Sequence, residues 1–299
     1  VTPDQVVDVA TAVIKVQRDY GNRADRKVAR LKYLIAEWGV ARFKQEVEKY
    51  HGSPLPDPME DDVFGFDDHM GWHEQGDGRW FHGLNIENGR IRDTEDFRLK
   101  TALRKICETY RPGIRLTSHQ SMLLTDLEAD NREEIETILK SHGVPLTEEI
   151  SKARRWSMAC VAWPTCGLAI TESERALPGI IDELDVELAR LGLSGEEFTL
   201  RMTGCPNGCS RPYNSDIGIV GRAAGKYTLL LGGRLLGDRL NFVYKDMVPH
   251  ETVVAEIATI LTFFKQSREE GETLGDFCAR QGCDNLLAFA ENYASQSAS

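Results

Sequence analysis

The sequence predicts an α+β fold in more than one domain, and three observations carry that expectation. Helical apolar spacing alternates with short strand-like runs along most of the chain. The length of 299 residues exceeds the roughly 100–200 of a single domain. Finally, Ser53-Pro54-Leu55-Pro56-Asp57-Pro58 and the following Glu60-Asp61-Asp62 show no periodicity and read as a linker over 53–65.

Residues 4–18 place Val6, Val9, Ala10, Val13, Ile14 and Val16 close to helical spacing, and a second helical pattern runs from Ile35 through Val47 to Tyr50. Residues 1–52 are therefore expected to be a helical segment. Between the helices, 22–32 holds Arg23, Arg26, Lys27, Arg30 and Lys32 against Asp25, a local charge of +4. A strand is expected over 80–87, then an Asn88-Gly89 turn, a helix over 96–110, a strand over 114–125 and a helix over 132–142. That β, α, β, α order predicts a ferredoxin-like layer over 66–145. From 146 to 299 a cysteine-bearing loop precedes a helix (173–191), strands (198–202, 216–220, 227–231) and two helices (251–265, 274–292), an α/β domain.

Composition narrows the function classes. With 41% hydrophobic and 28% charged residues the chain has material for a core and no bias to disorder. A net charge of −11 disfavours general nucleic-acid binding, which needs a surplus of clustered cations. The longest apolar runs, such as Ile257 to Phe264, fall well short of the roughly 20 residues of a membrane span. Seven cysteines bunched at short spacings point to thiolate ligands in a reducing, cytoplasmic compartment, or a plastid in a eukaryote, rather than to disulfides. The opening Val1-Thr2-Pro3 suggests a fragment or a processed product.

The strongest chemical signal is Cys160-Val-Ala-Trp-Pro-Thr-Cys166 followed, after 38 intervening residues, by Cys205-Pro-Asn-Gly-Cys209. Four thiolates are what a 4Fe-4S cluster requires, one per iron. Gly204 and Gly208 let backbone approach sulfide, and Pro164 and Pro206 hold turns. A four-cysteine zinc site and unligated core cysteines remain the alternatives on spacing alone; zinc ribbons fit the second pair better than the first.

The residues around these cysteines add a resemblance. Met158-Ala159-Cys160, Cys166 with Leu168-Ala169-Ile170-Thr171-Glu172, and Thr203-Gly204-Cys205-Pro206-Asn207-Gly208-Cys209 resemble the cluster motifs of the sirohaem-containing sulfite and nitrite reductases. So do Gln17-Arg18-Asp19-Tyr20-Gly21-Asn22-Arg23 and Arg26-Lys27, while Gly71-Trp72-His73-Glu74-Gln75-Gly76-Asp77-Gly78 is most similar to the ferredoxin-dependent sulfite reductases. The resemblance implies that Cys160, Cys166, Cys205 and Cys209 hold the cluster. It implies too that Cys209 also ligates the sirohaem iron, with Asn207 close to the macrocycle. Arg30-Leu31-Lys32 matches the family's paired distal cations. Arg30 is assigned to bind the anion in a fork and Lys32 to donate protons. An alternating pair diverges by about 200° on a helix, so a non-helical turn is expected there. Lys32 favours sulfite, since nitrite reductases tend to carry Asn at that position. The implied activity is six-electron reduction of sulfite to sulfide, with an acidic ferredoxin docking on a basic patch as donor. The rivals are a nitrite reductase making ammonia and a non-catalytic zinc-stabilised module. The chain resembles the end of a first half plus all of a second, so further substrate and sirohaem arginines are expected from a missing N-terminal half.

Several features read as decoys. Cys278 and Cys283 lie on a helical pattern and Cys107 among core residues; Gly218, Gly221 and Gly225 before Lys226 fail the Walker spacing and are expected in turns. His69 and His73 are interrupted by Gly71 and lack the Glu of a zincin. Within Arg115 to Ser121, His119 and Ser121 depart from the family's Asn-Gln-Asn, leaving the role of Gln120 open. Trp163, Gly167 and Ser210 are further departures around the cluster motifs, affecting surroundings rather than ligands.

Overall fold

The valines of residues 4–18 do form a helix, α1 (Val6–Tyr20), whose Ala12 and Val16 are buried against Leu34, Phe43 and Val47. The structure, a computed structural model, describes residues 1–57 and 65–297 and divides into two units, Val1–Phe64 and Gly65–Ser299. Positions 58–64 of the expected linker lie outside the described residues.

In the first unit the predicted second helix is two: α2 (Leu31–Trp38) and α3 (Val40–His51). Gly39 separates them at φ 79°, ψ 155°, a region open essentially to glycine alone. The non-helical turn expected at 30–32 is corrected. Arg30 is the extended N-cap (φ −79°, ψ 151°), whereas Leu31 and Lys32 already belong to α2. Leu31, Leu34, Ile35 and Trp38 recur at helical spacing and pack together, and that burial outweighs the alternation of the two cations.

The second unit holds two sheets. The first contains β1 (Gly71–Glu74), β2 (Trp80–Leu84), β3 (Gly113–Leu116) and β4 (Met122–Leu127) in the order β1-β2-β4-β3, every pair antiparallel. Its helices are α4 (Leu99–Tyr110) and α5 (Arg132–Ser141). Leu84, Leu99, Ile106, Leu124, Ile135 and Leu139 form the shared core of this ferredoxin-like layer. The strand expected over 114–125 is a hairpin: Thr117 N–H donates to the Ser121 carbonyl at 3.0 Å, and Gln120 turns the chain at φ 61°.

The second sheet follows the short helix α6 (Lys152–Arg155). Its strands are β5 (Ser157–Ala159), β6 (Leu200–Thr203), β7 (Ile217–Ala223), β8 (Lys226–Leu231) and β9 (Phe242–Pro249), in sequence order across the sheet. β5, β6 and β7 run parallel; β7, β8 and β9 are antiparallel. Helices α7 (Leu177–Leu191), α8 (Val253–Ser267) and α9 (Leu274–Ser297) share a core with Leu200, Met202, Ile217 and Ile219. Alternation along β6 then sends the fully buried Arg201 and Thr203 to the other face of the sheet. Gly218 and Gly221 lie within β7, not in turns as expected; only Gly225 turns the chain, at φ 65°. No helix among the described residues is long and apolar enough to cross a membrane.

Candidate metal centre

The loops that carry Cys160 and Cys205 stand side by side because β5 and β6 are parallel neighbours, and both leave the carboxyl ends of these strands, where open α/β sheets place ligands. Cys160 N–H donates to the Met202 carbonyl at 3.1 Å, continuing the ladder past the end of β5. Beyond it the first loop turns tightly, with Cys166 N–H bonded to the Ala162 carbonyl at 2.7 Å. The chain then returns along the second loop, where the Ile170 and Thr171 N–H groups both donate to the Gly204 carbonyl, at 2.8 and 3.2 Å. Glu174 N–H closes the circuit on the Cys160 carbonyl at 3.1 Å.

The Met202 carbonyl ties the loops together, accepting also from Ser173 Oγ at 2.7 Å and Ser210 Oγ at 2.6 Å. Glycine is required at 204: a Cβ there would lie 2.5 Å from the Thr171 carbonyl oxygen and 2.6 Å from Ala162 Cβ. Its freed N–H donates to Cys160 Sγ at 3.4 Å, a bond that stabilises negative charge on sulfur. Tyr213 braces the second loop, its hydroxyl donating to the Pro206 carbonyl at 2.7 Å.

All four cysteines are free thiols; Cys205 is buried, Cys160 and Cys166 are half-buried, and Cys209 is exposed. Among the described residues no three His, Cys, Asp or Glu side chains are close enough to hold one metal ion. A 4Fe-4S cluster takes one thiolate at each of four irons; four cysteines on two interlocked loops, with the Gly204 amide donating to Cys160 Sγ, are a donor set that fits it. Asn207, in the same loop, is exposed and makes no side-chain hydrogen bond among the described residues.

Arg30 and Lys32 belong to the first unit and the cysteines to the second. Both cations are exposed, neither is paired with an acid among the described residues, and Lys32 Nζ lies 5.0 Å from the centre of the Tyr33 ring.

Three residues near the loops carry roles that sequence reasoning missed. The Gln120 amide bonds both backbone groups of Ala159, and Arg211 Nη2 donates to the Ser118 carbonyl at 3.1 Å, so the β3–β4 turn touches both cysteine loops. Arg201 is wholly buried, with Nε and Nη2 lacking hydrogen-bond partners among the described residues. Burial, reinforced by Arg211 and partly opposed by Asp216, lowers its pKa to about 10. Burial likewise pushes His119 down to about 4, helped by Arg201 and Arg211. The only sequence signal for Gln120 was the partial match to Asn-Gln-Asn; a lone Arg in a strand carries none.

The decoys have structural places. His73 Nε2 is 3.0 Å from the Met70 carbonyl and its ring stacks on Phe81. Cys278 is fully buried, and burial raises the pKa of its thiol.

A ferredoxin-like sheet joined to a sheet that ends in two cysteine-bearing loops defines an α+β protein with paired cysteines at the carboxyl ends of parallel strands. The chain belongs to the nitrite and sulfite reductase family: residues 1–55 and 151–298 match the nitrite and sulphite reductase 4Fe-4S domain, and 73–142 the nitrite/sulfite reductase ferredoxin-like half domain. It is 45% identical over 287 residues to the sulfite reductase (ferredoxin) of Synechococcus elongatus, covering 96% of this chain and 46% of that protein. Similarity to the sulfite reductase (NADPH) hemoprotein beta-component of Staphylococcus haemolyticus is 42% over 282 residues, covering 94% and 49%. The solved structure of the Mycobacterium tuberculosis NirA protein superposes with a TM-score of 0.82 at 28% identity, over 96% of this chain and 54% of that one. The chain thus spans about half the length of the curated relatives it matches.

Proposed function

We propose that this chain is the cluster-bearing portion of a sulfite reductase, which reduces sulfite to sulfide at a sirohaem coupled to a 4Fe-4S cluster. The observation that carries the reading is the pair of cysteine loops locked at the ends of β5 and β6, with the Gly204 amide on Cys160 Sγ, in a chain of this family. Cys160, Cys166, Cys205 and Cys209 would hold the cluster, and Cys209 would also ligate the sirohaem iron, close to Asn207. When bound, the coupled groups supply electrons to the sulfur of the substrate. Hydrogensulfite takes up six electrons and six protons and leaves as hydrosulfide and three waters.

The chain's own cations serve the oxygens. Arg30 caps α2 without a side-chain capping bond, so the helix's first amides stay open at its positive end, where an anion is favoured. The Arg30 guanidinium binds a sulfite oxygen in a fork, and Lys32, on the first turn, delivers protons to departing oxygens. The electron donor is a ferredoxin, an acidic protein that docks on basic surface despite the chain's net −11. The thiol-rich centre and the relatives support a cytoplasmic site of action.

The test uses the full-length protein purified anaerobically, measuring visible absorption, iron, acid-labile sulfide, zinc, and turnover of sulfite and nitrite with reduced ferredoxin. Sirohaem bands, iron and sulfide together with preferred sulfite turnover are expected, as is a shift of preference towards nitrite in Lys32→Asn. Zinc in place of iron overturns the reductase; far faster nitrite turnover overturns the substrate.

A further inference from the structure

β5 is the edge strand of the five-stranded sheet. Its inner backbone groups pair with β6, as the Leu200 N–H to Trp156 carbonyl and Cys160 N–H to Met202 carbonyl bonds show. The Ala159 N–H and carbonyl therefore face away from β6, where no further strand among the described residues pairs them. A single side chain takes both: Gln120 Nε2 donates to the Ala159 carbonyl at 2.7 Å, and Ala159 N–H donates to Gln120 Oε1 at 3.2 Å. The primary amide thus stands in for one residue of a sixth strand, immediately before Cys160.

Gln120 comes from the other sheet, at the tip of the β3–β4 hairpin, and it sits at φ 61°, a left-handed conformation costly for a side chain other than Gly, Asn or Asp. Surrounding contacts hold it there. Thr117 Oγ1 accepts from the Ser121 N–H at 3.2 Å, and Arg211 grips the Ser118 carbonyl.

We propose that Gln120 is a positioning residue for Cys160, by which the ferredoxin-like sheet sets the orientation of a cluster thiolate. The inference rests on the reading of Cys160 as a cluster ligand. The physical chain is short. Gln120 fixes the Ala159 peptide, which fixes the Cys160 backbone, which sets the bond from Gly204 N–H to Cys160 Sγ. A hydrogen bond to a ligand sulfur stabilises the extra negative charge of the reduced cluster and raises its potential.

The experiment compares the cofactor-loaded full-length protein with Gln120→Leu, which loses both bonds, and Gln120→Glu, which keeps the acceptor and loses the donor. Glu87→Gln serves as control: Glu87 pairs with Arg154 elsewhere between the same two layers. Redox titration followed by EPR of the reduced cluster, thermal unfolding, and alkylation of Cys160 after chelation of iron are measured for each. A lower cluster potential, an altered EPR line shape and several-fold faster Cys160 alkylation are expected in Gln120→Leu, with a smaller potential shift in Gln120→Glu. Retained unfolding midpoints and an unchanged control complete the expected pattern. Wild-type potential, spectrum and alkylation in both variants overturn the proposal, as does an equal shift in Glu87→Gln. Wild-type protein without acid-labile sulfide instead defeats the cluster reading, and the alkylation rate alone then decides whether Gln120 positions Cys160.

Discussion

Met202 contributes more to the centre through its carbonyl than through its side chain. Its oxygen, accepting from Cys160, Ser173 and Ser210, exhausts the lone pairs of a carbonyl and draws both loops to one point. Ser210, a departure from the small apolar residue usual in the family, spends its hydroxyl on this bond and leaves the thiols alone. His82 shows a different residue-scale device. It is buried, stacks on Trp72 at 4.3 Å, and has an Nδ1 without a hydrogen-bond partner among the described residues. Burial pushes its pKa down to about 4, with a hydrogen bond to the Gly71 backbone partly opposing and Arg132 adding to the fall. In the unfolded chain His82 takes up its proton near pH 6.5, so the unfolded state gains protons first as pH falls. Stability present above about 6.5 is therefore lost progressively down to about 4, by about 3 kcal/mol for this one group. His82→Phe, followed by urea unfolding from pH 7 to 4, should flatten that slope; an unchanged slope would assign the acid sensitivity elsewhere.

At the scale of elements, the centre depends on β7 as well as on the loops. A Cβ on Gly221 would lie 2.4 Å from the Gly204 carbonyl oxygen, so the strand can back the second loop only with hydrogen at that position. Gly221→Ala should cost about 1–3 kcal/mol of stability and lower the iron bound per chain. Gly167→Ala, in the first cysteine loop with nothing within 4 Å of its Cβ, should leave both unchanged. Iron analysis and thermal unfolding of the two variants side by side make the check. α1, α4, α5, α7 and α8 were legible because each buries one face and repeats at helical spacing. β5 and β9 were not: the first has three residues and the second is an edge strand of mixed polarity and irregular burial, so neither carries a period. The break at Gly39 was missed because apolar spacing continues from α2 into α3 across it, and the hairpin within 113–127 because its polar connection, Thr117 to Ser121, holds no Gly, Pro or Asn and reverses on a positive φ at Gln120.

For the molecule as a whole, a chain covering about half of its curated relatives holds all four thiols but brings the Arg30 and Lys32 pair in a separate unit. Reconstituted anaerobically with iron and sulfide, these 299 residues should take up the cluster and show iron–sulfur absorption, while sirohaem bands should appear only once a segment matching the rest of the relatives' length is supplied. Sirohaem retained by this chain alone would show that it encloses the macrocycle by itself. The sequence alone determined where the thiols and the cation pair stand, which segments are helical, and which family the motifs resemble, since those rest on residue type and on spacing along the chain. Tertiary structure alone decided that Cys160 meets Gly204, that Gln120 completes the edge of β5, and that Lys32 is helical rather than in a turn. Those outcomes depend on strands and side chains distant in sequence finding one another, and on competing burial, neither of which leaves a local pattern to read.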